Sequence, residues 1–245
     1  MSASNPGRTF GRVAEAYART RPEYPRAAVA FAAEQLGLGE DATVLDLAAG
    51  TGKLTRLLVP SGANVIAVEP VREMRHQLER QVPGVAVLSG RAERIPLTER
   101  FVDAVTVGTA FHWFEPEAAL REIDRVLTPD GGVALIWNTR DERSELHRAL
   151  TEIIDPLGGD APRRRHRNWK TLLAESGVFT RTKRVLFEHV QRVDEQAVVD
   201  RVLSISFIAS ADREVRDEVE RKVRAVAKGA TELPYMTELY LGFKR

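Results

Sequence analysis

The 245-residue sequence contains no cysteine. Without thiols, the chain cannot form disulfide bonds, thiolate-ligated metal sites, cysteine nucleophiles or cysteine-bound iron–sulfur clusters. This composition fits a reducing compartment, so we expect a cytoplasmic protein. The five histidines are scattered without the spacing of metal ligands, so the sequence also predicts no metal site.

Long apolar runs and a dominant charge are also missing. No segment offers the roughly 20 consecutive apolar residues of a membrane-spanning helix, and residues 1–8 lack the apolar core of a signal peptide. The formal net charge of +1 provides no general attraction to nucleic acid or to membranes. The basic run at 163–167 has no interleaved aromatic residues and is typical of a solvated loop. We therefore expect neither nucleic acid nor a membrane as a partner.

Between residues 43 and 140, short apolar runs alternate with amphipathic segments. The runs predict strands near 43–47, 64–68, 85–88, 102–107 and 132–137, and the segments predict helices near 53–59, 71–81 and 115–127. Strands that are apolar nearly throughout are typical of a parallel sheet with helices on both faces. The alternation therefore predicts an α/β fold with a doubly wound, Rossmann-like sheet.

After Asn138 the pattern becomes mainly helical. It predicts helices near 143–155, 168–175, 194–203 and 212–227, and strands near 183–190 and 235–243. We interpret residues 1–245 as a single domain, with a core at about 9–140 and an insertion at about 141–230 before the final strand. A separate C-terminal domain is the alternative interpretation.

A glycine turn at 44–55 joins the first predicted strand to a helix. Dinucleotide-binding turns place glycines at positions 1, 3 and 6, which correspond here to Ala48, Gly50 and Lys53, and a lysine cannot pack where only a hydrogen atom fits. The pattern typical of methyltransferases has glycines at positions 1, 3 and 5, and Ala48, Gly50 and Gly52 depart from it only by one alanine. The spacing therefore favours an adenosine ligand without a pyrophosphate, which points to S-adenosylmethionine (SAM) and methyl transfer.

Two acidic residues end the first two predicted strands. Asp46 is a candidate partner for the sulfonium charge or the amino group of SAM, although an acid at this position also caps helices and turns. Glu69 can accept hydrogen bonds from both ribose hydroxyls, and the less favoured alternative is an exposed acid at a strand end. Pro70 and Met74 follow Glu69 and are further candidate cofactor contacts.

Further candidates follow the third and fourth predicted strands. Ala92 and Glu93 can read the edge of an adenine through a backbone N–H and a carboxylate, or belong to an ordinary polar loop. Thr109 and Ala110 are predicted to contact the cofactor, because doubly wound sheets bind ligands at the carboxyl ends of their strands. His112 is the candidate catalytic base, since an imidazole titrates near neutral pH. A wall or cofactor contact is the favoured alternative for this histidine.

The substrate side is less well defined by sequence. Phe111 and Trp113 are candidates for an apolar acceptor pocket, or they are core aromatic residues. Asn138 and Arg140 follow the fifth strand at the same edge of the sheet. Arg140 can hold a carboxylate substrate with its planar guanidinium group, or lie in a solvated loop.

These motifs, followed by the strand at 102–107 and a turn at 128–132, occur in the same order as in class I SAM-dependent methyltransferases of the small-molecule type, which the chain resembles. The segments 17–25 and 111–114 are similar to the subgroup that includes trans-aconitate methyltransferase-like proteins. The resemblance implies a seven-stranded sheet with an antiparallel last strand, SAM as cofactor and S-adenosylhomocysteine as product. It also implies that Tyr17 and Arg21 close over the cofactor, that the insertion caps the substrate, and that a small carboxylate or hydroxyl is O-methylated.

Two other functions remain open at this point. A SAM-binding protein without turnover, acting as a regulatory partner, would keep the nucleoside site but lack an acceptor cavity. A nucleotide-dependent oxidoreductase is disfavoured by Lys53. We expect the protein to act on a small molecule as a monomer or homodimer.

Overall fold

The computed structural model describes residues 22–159 and 169–244. These residues form two compact units. The large unit contains the described residues of 24–138, 169–187 and 237–244, and the small unit contains those of 22–23, 139–159 and 188–236. The division does not test the single-domain interpretation, which stays a prediction.

Seven strands form one sheet, in the order β3-β2-β1-β4-β5-β7-β6. Their bounds are β1 Thr43–Leu47, β2 Asn64–Val68, β3 Ala86–Leu88, β4 Val102–Gly108, β5 Leu127–Arg140, β6 Arg181–Arg192 and β7 Glu232–Phe243. The neighbours β3, β2, β1, β4 and β5 run parallel to one another. The predicted doubly wound, Rossmann-like arrangement is therefore confirmed.

The last strand runs antiparallel to its neighbours. Lys244, just after β7, donates to the carbonyl oxygen of Gly131 near the start of β5, whereas Asp141, just after β5, donates to the carbonyl oxygen of Pro234 near the start of β7. Two further bonds pair β7 with β6 in the same way: Thr180 N–H to Phe243 O and Val193 N–H to Thr231 O. The predicted antiparallel last strand is confirmed.

The seven helices predicted after residue 50 agree with the observed positions to within a few residues. The observed helices are α1 Arg26–Gln35, α2 Thr55–Leu58, α3 Arg72–Gln81, α4 Pro116–Val126, α5 Glu145–Ile154, α6 Trp169–Glu175, α7 Glu195–Leu203, α8 Ser206–Ala209 and α9 Arg213–Val226. Three short 3-10 helices accompany them at Val59–Ser61, Phe111–Trp113 and Asp155–Leu157. The sequence analysis did not predict α8 or the 3-10 helices, because segments of three or four residues are too short to show a helical period.

Alternate side chains of the parallel strands enter two separate apolar clusters. In β1, Leu45 packs in one cluster with Val105 of β4, whereas Val44 packs in the other with Ala104. Successive side chains of a strand point to opposite faces, so both faces of the sheet are covered. This burial explains why the strands read as nearly continuous apolar runs.

The segment 128–132 is a correction to the sequence analysis, which interpreted it as a turn. It lies within β5, where Val102 pairs with Leu127 but Ala104 already pairs with Gly132, so the longer strand bulges. A Cβ atom at Gly131 would lie 3.0 Å from the carbonyl oxygen of Asp103. The glycine that suggested a turn therefore allows close approach of two backbones.

The small unit has its own apolar core. Its buried residues come from α5, α7, α8, α9 and β7, and include Leu150, Val198, Val223 and Tyr235. Within the described parts of the chain, no helix is both long and apolar enough to cross a membrane.

Trp169 in the large unit provides a test of this packing. It is fully buried and stacks on Trp137 with 5.0 Å between ring centroids. We expect Trp169→Ala to lower the free energy of unfolding by about 3–5 kcal/mol, because it removes a large apolar surface and leaves a cavity. Trp113→Ala, at a residue that is 37% exposed, should cost about 1 kcal/mol or less. Urea unfolding of both variants measures the difference, and equal losses would contradict the assignment of Trp169 to the core.

Candidate functional site

The glycine turn after β1 has three left-handed residues at alternate positions. The φ angles are 56° at Ala48, 59° at Gly50 and 88° at Gly52. Only glycine adopts this conformation without a steric cost, which explains the spacing of the motif and makes Ala48 the strained member. A Cβ atom at Gly50 would have no atom within 4 Å, whereas one at Gly52 would lie 3.0 Å from Leu78 of α3. Gly50 therefore faces open space, and Gly52 allows close packing.

Glu69 follows β2 and is bound to the glycine turn. Its side chain is buried, with Oε2 accepting the Gly50 N–H at 2.9 Å and Oε1 accepting the Val71 N–H at 2.9 Å. Burial raises the pKa of Glu69, and the two backbone N–H groups oppose that shift. Arg75 of α3 donates from Nη1 to the carbonyl oxygens of Glu69 and Pro70. The strand end, the turn and the helix therefore hold this carboxylate in one position.

Asp46 lies fully buried at the carboxyl end of β1. Its Oδ2 accepts the hydroxyl of Thr55 at 2.6 Å, and Oδ1 lies 3.4 Å from the hydroxyl of Thr106. Burial raises the pKa of Asp46 to about 7, although both hydroxyl contacts lower it. The observed partners of this acid belong to α2 and β4, so its predicted contact with a cofactor stays a prediction.

The loop after β3 packs closely between neighbouring elements. Ala92 is buried, and Glu93 Oε1 accepts the Glu115 N–H at 3.1 Å. A Cβ atom at Gly90 would lie 2.6 Å from Cδ of Pro96, which requires glycine at that position. The loop is therefore an ordered part of the same sheet edge.

Thr109 follows β4 and has a left-handed backbone, with φ of 56°. This conformation is rare for a β-branched residue and costs on the order of 1–3 kcal/mol. The Thr109 N–H donates to Ile136 of β5 at 2.8 Å, and its hydroxyl lies 2.7 Å from the hydroxyl of Tyr24. The sequence analysis assigned no role to Tyr24, because a contact across 85 residues has no local signature.

The segment after Thr109 carries the candidate base and two candidate substrate residues. The ring of His112 lies 4.9 Å from that of Trp113, centroid to centroid. Phe111 is fully buried and packs edge-on against Trp169, with 5.6 Å between ring centroids. This packing is what we expect if Phe111 is a core aromatic residue. The catalytic role of His112 and the substrate contacts of Phe111 and Trp113 stay predictions.

Asn138 and Arg140 lie in the last part of β5 and have hydrogen-bond partners outside the glycine turn. Asn138 accepts the hydroxyl of Thr237 at 2.6 Å in the large unit. Arg140 donates from Nη1 to the hydroxyl of Thr151 at 2.8 Å in the small unit. Tyr17 and Arg21 lie outside the described residues. Among the residues that are described, no three metal-ligating side chains cluster.

Pro70 and Met74 follow Glu69 in the chain. Pro70 is exposed, and Met74 on the first turn of α3 is buried. The parallel strands β1, β2, β3 and β4 bring their carboxyl ends and the turns that follow to one edge of the sheet. Of the candidates, this edge carries Asp46, Ala48, Gly50, Gly52, Glu69, Pro70, Met74, Ala92, Glu93, Thr109 and Ala110.

Comparison with known proteins shows which family this chain belongs to. Residues 45–135 match the family described as a methyltransferase domain. An uncharacterized methyltransferase of Mycobacterium tuberculosis is 39% identical over 237 residues, which cover 94% of this chain and 93% of that protein. The chain belongs to the class I SAM-dependent methyltransferase family. Membership of this family favours the methyltransferase pattern of glycines over the dinucleotide-binding pattern for the turn after β1.

More distant proteins agree with this methyltransferase fold. The crystal structure of YcgJ from Bacillus subtilis has a TM-score of 0.59 at 20% identity, covering 90% of this chain and 99% of that one. A SAM-dependent methyltransferase from Aquifex aeolicus has a TM-score of 0.52 at 19% identity, covering 99% and 100%. A malonyl-[acyl-carrier protein] O-methyltransferase of Pseudescherichia vulneris is 28% identical over 149 residues, covering 60% of this chain and 59% of that protein. The likeness to the trans-aconitate methyltransferase-like subgroup stays a prediction.

The strain at Ala48 can be measured. We expect Ala48→Gly to raise the free energy of unfolding by about 0.5 kcal/mol, because relief of the left-handed alanine outweighs the greater backbone entropy of glycine. Ala49→Gly, at a residue without a positive φ, should instead lower it by about 0.5–1 kcal/mol. Urea unfolding measures both variants, and a loss of stability in Ala48→Gly would contradict the strain.

The raised pKa of Asp46 predicts a dependence of stability on pH. The pKa in the folded protein is about 7 and the ordinary value is 3.8, so the stability that this group contributes is full below about pH 4 and is lost as pH rises toward 7. Asp46→Asn removes this titration while keeping the shape of the side chain. Between about pH 5 and pH 7.5, wild type should therefore lose on the order of 2 kcal/mol relative to Asp46→Asn. Urea unfolding at both pH values measures this, and a difference that does not change with pH would refute it.

Proposed function

We propose that this methyltransferase uses SAM to methylate a small-molecule acceptor, at a carboxylate or hydroxyl oxygen. The buried carboxylate of Glu69, bound to the N–H of Gly50, is the observation that carries the cofactor assignment. The O-methylation is supported by the resemblance to small-molecule methyltransferases and by the name of the Pseudescherichia vulneris relative.

The residues at the sheet edge fit a bound nucleoside. Each carboxylate oxygen of Glu69 accepts one backbone N–H and keeps a second lone pair, so the two oxygens suit the two adjacent hydroxyls of a ribose. The open space at Gly50 allows a ligand to approach the backbone of the turn. Pro70 and Met74, which follow Glu69 in the chain, are candidate apolar contacts for the same ligand.

The proposal assigns the other parts of the cofactor to further residues. Ala92 and Glu93 read the adenine edge, and Thr109 and Ala110 contact the cofactor from the end of β4. Asp46 would contact the sulfonium charge or the amino group of SAM, with Thr55 and Thr106 orienting its carboxyl group. Tyr17 and Arg21 remain proposed from the family resemblance alone.

The proposed reaction requires little acid–base catalysis by the protein. When bound, SAM supplies an activated methyl group whose in-line transfer needs no protonation of the departing thioether. The protein orients the acceptor and excludes water, and such positioning accounts for much of the rate in reactions of this kind. A carboxylate acceptor needs no general base, whereas for a hydroxyl acceptor His112 is the proposed base.

We assign acceptor selection to the residues after β4 and β5. Trp113 is partly exposed, and Asn138 and Arg140 follow the buried part of β5, so each is a candidate substrate contact. Loops that follow a rigid sheet are where specificity residues concentrate. The single-domain organisation, the cytoplasmic location and the monomeric or dimeric state remain parts of the proposal.

Glu69→Gln tests the cofactor assignment. The change keeps the size of the side chain but removes its charge, so the bonds to both hydroxyls weaken and SAM affinity should fall roughly 10- to 100-fold. Isothermal titration with SAM and with S-adenosylhomocysteine measures the loss. The matched control is Glu73→Gln, four residues away on an exposed position of α3, which should bind as wild type does.

Circular dichroism and thermal unfolding accompany these titrations, since Glu69 also accepts two backbone N–H groups. Unchanged SAM affinity in a folded Glu69→Gln protein would overturn the ribose assignment. If the wild-type protein bound neither SAM nor S-adenosylhomocysteine, the cofactor assignment would be overturned.

A further inference from the structure

The chain leaves β4 through a residue with an unfavourable backbone conformation. Thr109 has a φ of 56°, in the left-handed region that β-branched residues rarely adopt. Conformations of this kind persist only where the surrounding structure enforces them, and they are concentrated at functional sites. The contacts that hold Thr109 in this conformation are therefore candidates for a functional role.

Two hydrogen bonds hold Thr109 at its backbone and at its side chain. Its N–H donates to the carbonyl oxygen of Ile136 at 2.8 Å, which extends the pairing between β4 and β5. Its hydroxyl lies 2.7 Å from the hydroxyl of Tyr24, which comes just before α1. Because the threonine hydroxyl is attached to the Cβ atom, a fixed hydroxyl also restricts the direction of the Cα–Cβ bond and hence the backbone.

The residue before Thr109 makes room for this tyrosine. A Cβ atom at Gly108 would lie 2.8 Å from the hydroxyl oxygen of Tyr24, which is closer than ordinary van der Waals contact. The φ angle of Gly108 lies outside the left-handed region, so its backbone conformation does not require glycine. The absence of a side chain at Gly108 is instead what allows the tyrosine hydroxyl to reach Thr109.

The ring of Tyr24 is anchored in the core of the large unit. The residue is 9% exposed and belongs to the same apolar cluster as Val29 of α1 and Leu54, which lies between the glycine turn and α2. A Cβ atom at Gly108 would also lie 3.3 Å from Cδ2 of Leu54, so the tyrosine and the leucine both border the end of β4. A ring held by these contacts gives its hydroxyl a fixed position.

The conformation of Thr109 sets the direction of the segment that follows. Ala110 precedes the 3-10 helix Phe111–Trp113, which contains His112. The N–H of Trp113 donates to the carbonyl oxygen of Ala110 at 2.9 Å, so these residues turn together. A rotation about φ of Thr109 would therefore move the candidate cofactor contact at Ala110 and the candidate base relative to the glycine turn.

We propose that Tyr24 is a positioning residue for cofactor binding, which acts by holding Thr109 in its left-handed conformation. This role rests on the proposed use of SAM, and it adds a residue that acts through Thr109 rather than by touching the cofactor. Without the tyrosine hydroxyl, Thr109 relaxes toward more common conformations in part of the molecules. The apparent affinity for SAM then falls in proportion to the fraction that keeps the binding conformation.

Tyr24→Phe tests this role, because it removes the hydroxyl and keeps the ring. We expect the affinities for SAM and for S-adenosylhomocysteine to fall about five- to tenfold, which corresponds to the loss of one neutral hydrogen bond. Isothermal titration of the whole protein measures the change, at a temperature at which circular dichroism shows every variant to be folded.

The matched control is Tyr240→Phe, which removes the hydroxyl of another buried tyrosine of the large unit. That hydroxyl donates to Glu238 on β7. Its loss should lower the melting temperature, because a buried hydrogen bond is broken, while SAM affinity stays at the wild-type value. A purely structural role of Tyr24 would give this same pattern in Tyr24→Phe, and that result would overturn the positioning role while leaving the SAM assignment intact.

Thr109→Val breaks the same hydrogen bond from the other side and completes a double-mutant cycle. In a Thr109→Val background, Tyr24→Phe should change SAM affinity by less than about twofold, because the two changes remove one shared interaction. Losses that multiply would show that the two hydroxyls act independently, and the coupling between them would be wrong. If the wild-type protein bound neither SAM nor S-adenosylhomocysteine, the cofactor assignment would fail first, and the role of Tyr24 with it.

Discussion

The hydrogen bonds that Glu69 accepts from the N–H groups of Gly50 and Val71 are the contacts on which the candidate site depends. β1 and β2 are parallel neighbours, so their carboxyl ends meet at one edge of the sheet, and the acid of one strand reaches the turn of the other. Buried backbone N–H groups need acceptors, and a carboxylate can satisfy two of them while still accepting further donors. The same group thereby shapes the turn and remains suited to a ribose.

Costs to stability concentrate at this edge of the sheet. Ala48 and Thr109 have left-handed backbones, and Asp46 is an acid in a fully buried position. Each persists because the parallel strands and their helices determine the local geometry. The remaining interior of the large unit is apolar, with side chains such as Leu45 and Val105 covering the two faces of the sheet. A well-packed sheet of this kind can support a few strained residues where ligands bind.

The small unit has a comparable contrast between a satisfied core and unsatisfied polar groups. Its apolar cluster includes Leu150 and Val198, yet the same helices bury polar atoms of His147 and Arg201 without partners. Such groups lower stability unless a ligand satisfies them, and proteins commonly trade stability for function in this way.

The sequence by itself determined the α/β class, the positions of most strands and helices, and the glycine turn with Glu69, because each depends on short-range periodicity or on backbone conformations that need glycine. It did not predict that 128–132 bulges within β5, that Tyr24 contacts Thr109, or that Asp46 binds Thr55 and Thr106. Only the tertiary structure decided these features, since they arise from contacts between distant segments and from burial, which no local pattern encodes.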